Sequence, residues 1–273
     1  MNAIRVCLFL SFFATTLKAG EDDEVIAIFA KSDARITKNE EGKVIKLMSP
    51  GKPPHTFAEL QRIGDLEHLE QLALNAPPGG DDDWGFLSKL KNLDQLTIWH
   101  GKGFRSLAPF SDLAIEGLTV GGCMGIRDLN KDDPERQRDA VLSLRNLPNL
   151  KRLNLYHSPL VPDDSHLAHI ASEFPLLEEL KIDLAAPRNS ETNISPDGLR
   201  KLKALPLKVL SLETVKSLTP DHMKAIAELE SLEAVLLDAR REEVDLGPLV
   251  EALKKASPDL EVVASEKGGD IPR

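Results

Sequence analysis

Three groups of residues have the types and spacing to do chemistry. Asp81, Asp82 and Asp83 follow Pro77-Pro78-Gly79-Gly80, and adjacent carboxylates supply the oxygen ligands that calcium takes. No Asp-x-Asp-x-Asp-Gly loop accompanies them, so Asp83 reads instead as a helix cap in a solvated acidic turn. His166 and His169 lie three apart after Asp163 and Asp164, a helical spacing that can ligate zinc. No HExxH surrounds them, and a solvated helix face is the expected reading. Cys123 in GGCMG has neither a papain-like nor a caspase-like surround and reads as a buried small hydrophobe. There is no GxSxG elbow, P-loop or GxGxxG. The expectation is a non-enzyme with no catalytic residue, metal or cofactor; an enzyme with an unrecognised site near Cys123 or the histidine pair is the lesser alternative.

The elements that would position any site are written in leucine. LPNLKRLNLYHSPL has leucines at 147, 150, 153 and 155, two steps of three and then one of two. The same spacing returns in LEHLEQLALN, LKNLDQLTIW, FPLLEELKID and LESLEAVLLD, and two copies one residue short end on Leu118/Val120 and Leu210/Leu212. The closing Leu-x-Leu has period two, so both side chains point to one face of a short strand. The preceding steps of three belong to the turn that brings the chain in. Strand starts fall at 72, 96, 118, 153, 180, 210 and 235, most of the intervals lying between 22 and 30 residues. Each such strand buries one face and needs stacked neighbours to do so. With aromatics at only 4%, an aliphatic core is expected.

Between strands the chain reads as helix. ISPDGLRKLKAL and LTPDHMKAIAEL share a Ser/Thr-Pro-Asp opening, in which Ser195 and Thr219 can cap free N–H groups and Pro196 and Pro220 suit the first helical position. Thr56 and Glu59 offer a capping box. The interval from Val120 to Leu153 is too long. Its extra residues fall around GIRDLNKDD, before a charged helix opened by Asp133 and Pro134; either a binding insertion or drift in a tolerant loop accounts for it.

Residues 1–19 read as a secretory signal peptide: Arg5, an apolar run of about a dozen residues, then LKAG. Its removal takes Arg5 and Lys18 and moves the net charge from −10 to −12. An acidic chain repels phosphate backbones, so no nucleic-acid partner is expected. No later stretch is long and apolar enough for a membrane span. The expected localisation is extracytoplasmic, secreted or periplasmic. Residues 20–48 read as a helix and hairpin capping the stack, 49–264 as the repeats and 265–273 as a flexible tail.

The repeated spacing resembles the leucine-rich repeat family, over about residues 43 to 264. The resemblance implies an α/β solenoid, a horseshoe with a parallel sheet on the concave face and helices on the convex face. The family's usual asparagine after the strand is absent; Pro77, Gly101, Ser158, Ala185, Val215 and Arg240 hold its place. YHSPLVPDD and ETVKSLTPD instead look like the exported bacterial repeats of this kind.

If the strand leucines face inward, their neighbours face the concave side. That row carries Trp99, Arg152, Asn154, Tyr156, Lys181, Asp183 and Glu213. Aromatics and arginine are the usual anchors of protein interfaces. The expected function is a protein-binding module with a protein partner, or less favoured a glycan, at these seven residues. A structural spacer of the cell envelope is the alternative, in which Trp99 and Tyr156 simply pack over the strand ends.

Overall fold

The computed structural model describes residues 21–52, 54–123, 125–126, 139–157, 160, 163–184, 193–240 and 242–266. The segment read as a signal peptide, the expected helix start at Asp133 and Pro134, most of the long insertion and the tail from residue 267 lie outside them.

Ten strands form one sheet in sequence order: β1 (Arg35–Lys38), β2 (Val44–Ser49), β3 (Gln71–Asn75), β4 (Gln95–Trp99), β5 (Gly117–Gly121), β6 (Arg152–Leu155), β7 (Glu179–Asp183), β8 (Val209–Glu213), β9 (Ala234–Asp238) and β10 (Glu261–Ser265). The β1–β2 pair is antiparallel and every later pair is parallel. This sequential α/β stacking is solenoid-like. The helix α1 (Glu21–Phe29) precedes the hairpin.

The three-three-two spacing has a direct structural cause. The strand leucines stand in register: Leu72 opposite Leu96, Leu96 opposite Leu118, Leu118 opposite Leu153, and onward through Leu180 and Leu210 to Val235. The step of three before each strand is a tight turn closed by an i→i+3 hydrogen bond. Leu69 donates to Leu66 at 3.1 Å, Leu93 to Leu90 at 3.2 Å, Leu150 to Leu147 at 3.1 Å and Leu232 to Leu229 at 3.0 Å. All these side chains but that of Leu232, which packs against the core from a partly exposed position, join one continuous buried core. Burying each contributes roughly 1.5–3 kcal/mol.

Two further ladders fix the register. At the strand entries one carbonyl accepts two successive amides of the next unit: Glu70 from Asp94 and Gln95, Asp94 from Glu116 and Gly117, Glu116 from Lys151 and Arg152. At the exits, Ala76, His100, Gly122, His157 and Thr214 all take positive φ. Ala76 and His100 then donate to the last carbonyl of the next strand, at Trp99 and Gly121, and Gly122 donates to Tyr156, one residue past β6. This left-handed residue turns the chain off the sheet where the family asparagine was expected one place later.

The connections differ from expectation in the N-terminal half. After α2 (Phe57–Gln61), the links between β3, β4 and β5 are 3-10 turns at Asp81–Asp83, Gly85–Lys89 and Ala108–Phe110 rather than helices. Pro77, Pro78, Gly79 and Gly80 deny the first of them a helical start. The mainly aliphatic core also holds an aromatic cluster there. Trp84 is buried among Phe86, Phe104 and Phe110, with ring centroids 5.1–5.7 Å from its own. Helical links follow later: α3 (Asp164–Glu173), α4 (Pro196–Arg200), α5 (Pro220–Ala227) and α6 (Gly247–Ala256). Ser195 caps α4 by accepting from the Gly198 amide at 3.1 Å. At α5 the Thr219 hydroxyl meets His222 Nδ1 at 2.8 Å, and that nitrogen accepts the Thr219 amide.

Candidate functional site

Alternate strand residues point away from the core, onto the opposite face of the sheet. On β4, β6 and β9 they are partly exposed, whereas their neighbours are buried. Small residues on β5 shape this face. Gly117 and Gly121 lack the side chains that would collide with large ones beside them. A Cβ on Gly117 would sit 1.9 Å from the Gln95 amide, and one on Gly121 would sit 2.5 Å from the Tyr156 ring. Gln95 and Tyr156 therefore lie flat over β5 from either side.

The seven predicted residues separate into two groups. Arg152 belongs to the strand entries. It lies 3.9 Å from Asp94 and 4.0 Å from Glu116, and with its amide oxygen turned toward the guanidinium Gln95 accepts from it as well. The charged entry ladder continues beside it, with Lys151 2.8 Å from Glu116 and Lys208 2.7 Å from Glu178. The Lys208 hydrogen bond holds the Glu178 carboxyl below its ordinary range.

Trp99, Tyr156, Lys181 and Glu213 converge at the strand exits. Lys181 Nζ lies 5.2 Å from the centroid of the Tyr156 ring and 3.1 Å from Glu213 Oε1. Burial pushes the Tyr156 phenol up; the Trp99 indole N–H is closed from solvent and makes no hydrogen bond. Asn154 stands between the groups, its Oδ1 closed from solvent with no hydrogen-bond partner.

Asp183 and Glu213 are less available than the alternation implies: both are buried. Glu213 Oε2 takes the backbone N–H of His157 at 2.9 Å and the His157 Nδ1 at 3.0 Å. Asp183 accepts the Thr214 hydroxyl at 2.6 Å. With Asp238 and Arg240 these residues line a cavity of about 220 Å³. Arg240 forks onto Asp238, its Nε 2.9 Å from Oδ1. His157, Thr214 and Arg240 were not among the candidates. Their only signal in the sequence was their place just beyond a strand.

The other chemical candidates are structural. Asp81 accepts the Arg105 amide and the Ser106 hydroxyl at 2.8 Å each, and Asp83 accepts the Gly80 amide at 2.9 Å. His166 is not on a solvated face. It is fully buried, its Nδ1 2.9 Å from Asp163, because α3 turns that side into the stack. His169 Nε2 meets the Leu144 carbonyl at 2.9 Å. Among the described residues no three His, Cys, Asp or Glu are arranged to hold a metal, and no helix is long and apolar enough to cross a membrane. Burial pushes the Cys123 thiol up to about 11, which keeps it protonated and a poor nucleophile.

No protein-family model matches the chain, and no curated protein matches it. Among solved structures it is similar to one described as the crystal structure of Rad7 and Elc1 complex in yeast, at 14% identity over 79% of this chain and 69% of that chain, with a TM-score of 0.40. At that distance the likeness carries no argument about this chain.

Proposed function

We propose that the chain is a leucine-rich repeat protein of the exported bacterial kind, a non-enzymatic module that binds a protein partner on the concave face of a horseshoe. What supports the reading is the open face of the sheet, where Lys181 lies over the Tyr156 ring and Trp99 stands opposite Gly121, which that ring covers. Tyrosine and tryptophan are among the side chains that dominate interface energetics. Extended arrays use such faces because they offer area rather than a deep pocket. The acidic balance of the chain, net −10, favours a partner with a basic surface.

A second reading, an envelope spacer without a ligand, draws on Glu213, whose carboxylate is spent on internal bonds. Cross-linked capture from a native envelope fraction separates the two. The wild-type chain is run beside a folded Trp99→Ala, Arg152→Ala, Tyr156→Ala variant. The binding reading expects a partner held by the wild type and lost by the variant. Identical capture by both, or none, removes it and leaves the spacer.

A further inference from the structure

Among the described residues the sheet ends on two edges, β1 in front and β10 behind. Their backbones are open in a matching way. Glu261 donates to the Glu233 carbonyl at 3.0 Å, and the Ser265 carbonyl accepts from Ala239 at 2.8 Å. Successive residues of a strand turn their backbone groups to opposite sides, so those of Val262 and Ala264 face away from β9. In β2 the Ile45 carbonyl accepts from Glu70 at 2.9 Å. Lys46 and Met48 therefore face β1, where they stand opposite Thr37 and Arg35. Ile36, between those two, turns its N–H and C=O outward. Its side chain lies on the core side, in register with Leu47, as that of Val262 does with Val235. Ile36 and Val262 pack against the core but are only partly buried.

We propose that copies of this chain stack head to tail, β10 of one pairing antiparallel with β1 of the next. Val262 and Ile36 of the next copy exchange both N–H···O bonds, Ala264 and Ala34 of the next copy do the same, and the half-covered side chains carry the core across the junction. Charge sets the order of the ends. In this register Glu261 lies one diagonal from Arg35 of the next copy, on the same face and within reach of long side chains. Both are exposed, and among the described residues neither makes an ion pair. The helix layer has the same polarity. At the front, α1 shows Asp23 and Glu24, which meet Lys38 at 3.8 Å and Arg62 at 3.0 Å; at the rear, α6 ends on exposed Lys254 and Lys255. Front-to-front pairing would instead set Arg35 and Lys38 against their own kind. A head-to-tail contact is heterologous and repeats without closing. It sets the open sheet faces of successive copies side by side, so that one partner can engage several at once, and it holds whatever that partner is.

The test is sedimentation equilibrium of the chain from about 10 μM to 1 mM, with reductant present. The weight-average mass is expected to rise past that of a dimer. Glu261→Arg and Arg35→Glu should each weaken association about fivefold or more, and an equimolar mixture of the two variants should restore it, because acid then meets base at every junction. Val262→Pro removes only an outward N–H, a place where an edge strand tolerates proline, and should abolish association while the chain stays folded. A mass that levels off at the dimer, which marks rear-to-rear pairing, would overturn the stack. So would a monomer at every concentration, single charge variants that associate like the wild type, a mixture that stays apart, or a folded Val262→Pro chain that still associates.

Discussion

The carboxylate of Glu213, on β8, accepts the backbone N–H of His157 at the exit of β6, 2.9 Å away, with the whole of β7 between them. At the exits of β3, β4 and β7 the corresponding amide bonds the carbonyl that ends the adjacent strand, and at β5 the carbonyl of Tyr156 just past β6. Here a side chain reaches two strands to take that place, and brings Lys181 and the His157 ring with it. Glu213→Gln keeps the shape and removes the charge. The expected loss is roughly 1–3 kcal/mol in urea unfolding, with faster exchange of the His157 amide. Unchanged stability together with unchanged exchange would show that the contact is incidental.

Gly121 leaves the space that the Tyr156 ring occupies, and a Cβ there would lie 2.5 Å from it. Gly121→Ala should push the ring off the sheet at small cost, because the group that must move is the end of a flexible side chain. Tyr156 is the only tyrosine in the chain, so phenolate absorbance reports it alone. Burial is the main cause of its raised pKa; exposure in the variant should lower the titration midpoint. An unmoved midpoint would mean that the ring does not lie where described.

Cys123 is pushed by burial from an ordinary 9.0 up to about 11. The folded state therefore holds its proton longer than the unfolded chain does. The contribution is complete below about pH 9 and is lost as pH rises toward 11. In a Cys7→Ser background, alkylation at pH 8 should track global unfolding and not precede it. Cys123→Ala should flatten the alkaline fall in stability; an equally steep fall would contradict the assignment.

His55 works in the opposite direction. It is buried beside the Phe29 ring, at 4.4 Å between centroids, with Nε2 2.7 Å from Ser32 Oγ. Burial lowers its pKa from 6.5, with Glu59 opposing. A lowered folded value means that the unfolded chain takes up the proton first. Its contribution is complete above about pH 6.5 and is lost as pH falls through the folded value. His55→Gln should remove that part of the acid destabilisation, measured as the slope of stability between pH 7 and 5.

The leucine rows were legible because their cause is local: an i→i+3 turn followed by period two needs only neighbouring residues. The caps at Thr56 and Ser195 were legible for the same reason. The aromatic cluster around Trp84 was not, since its members come from different turns and no period marks them. The Glu213–His157 bond joins residues 56 apart in sequence, and nothing near either one announces the other. The alternation placed Asp183 and Glu213 on the correct face but could not show that Lys181, His157 and Thr214 cover them.

The central claim is that the partner meets the open face of the sheet. The direct measurement places a photo-cross-linking residue at Thr119, on that face, or at Lys224, exposed on α5 on the far side of the core, with irradiation in the native envelope fraction. The account predicts one cross-linked species from Thr119 that is absent from Lys224 and disappears when Tyr156 is also replaced by Ala. Cross-linking from Lys224 and none from Thr119 would contradict it.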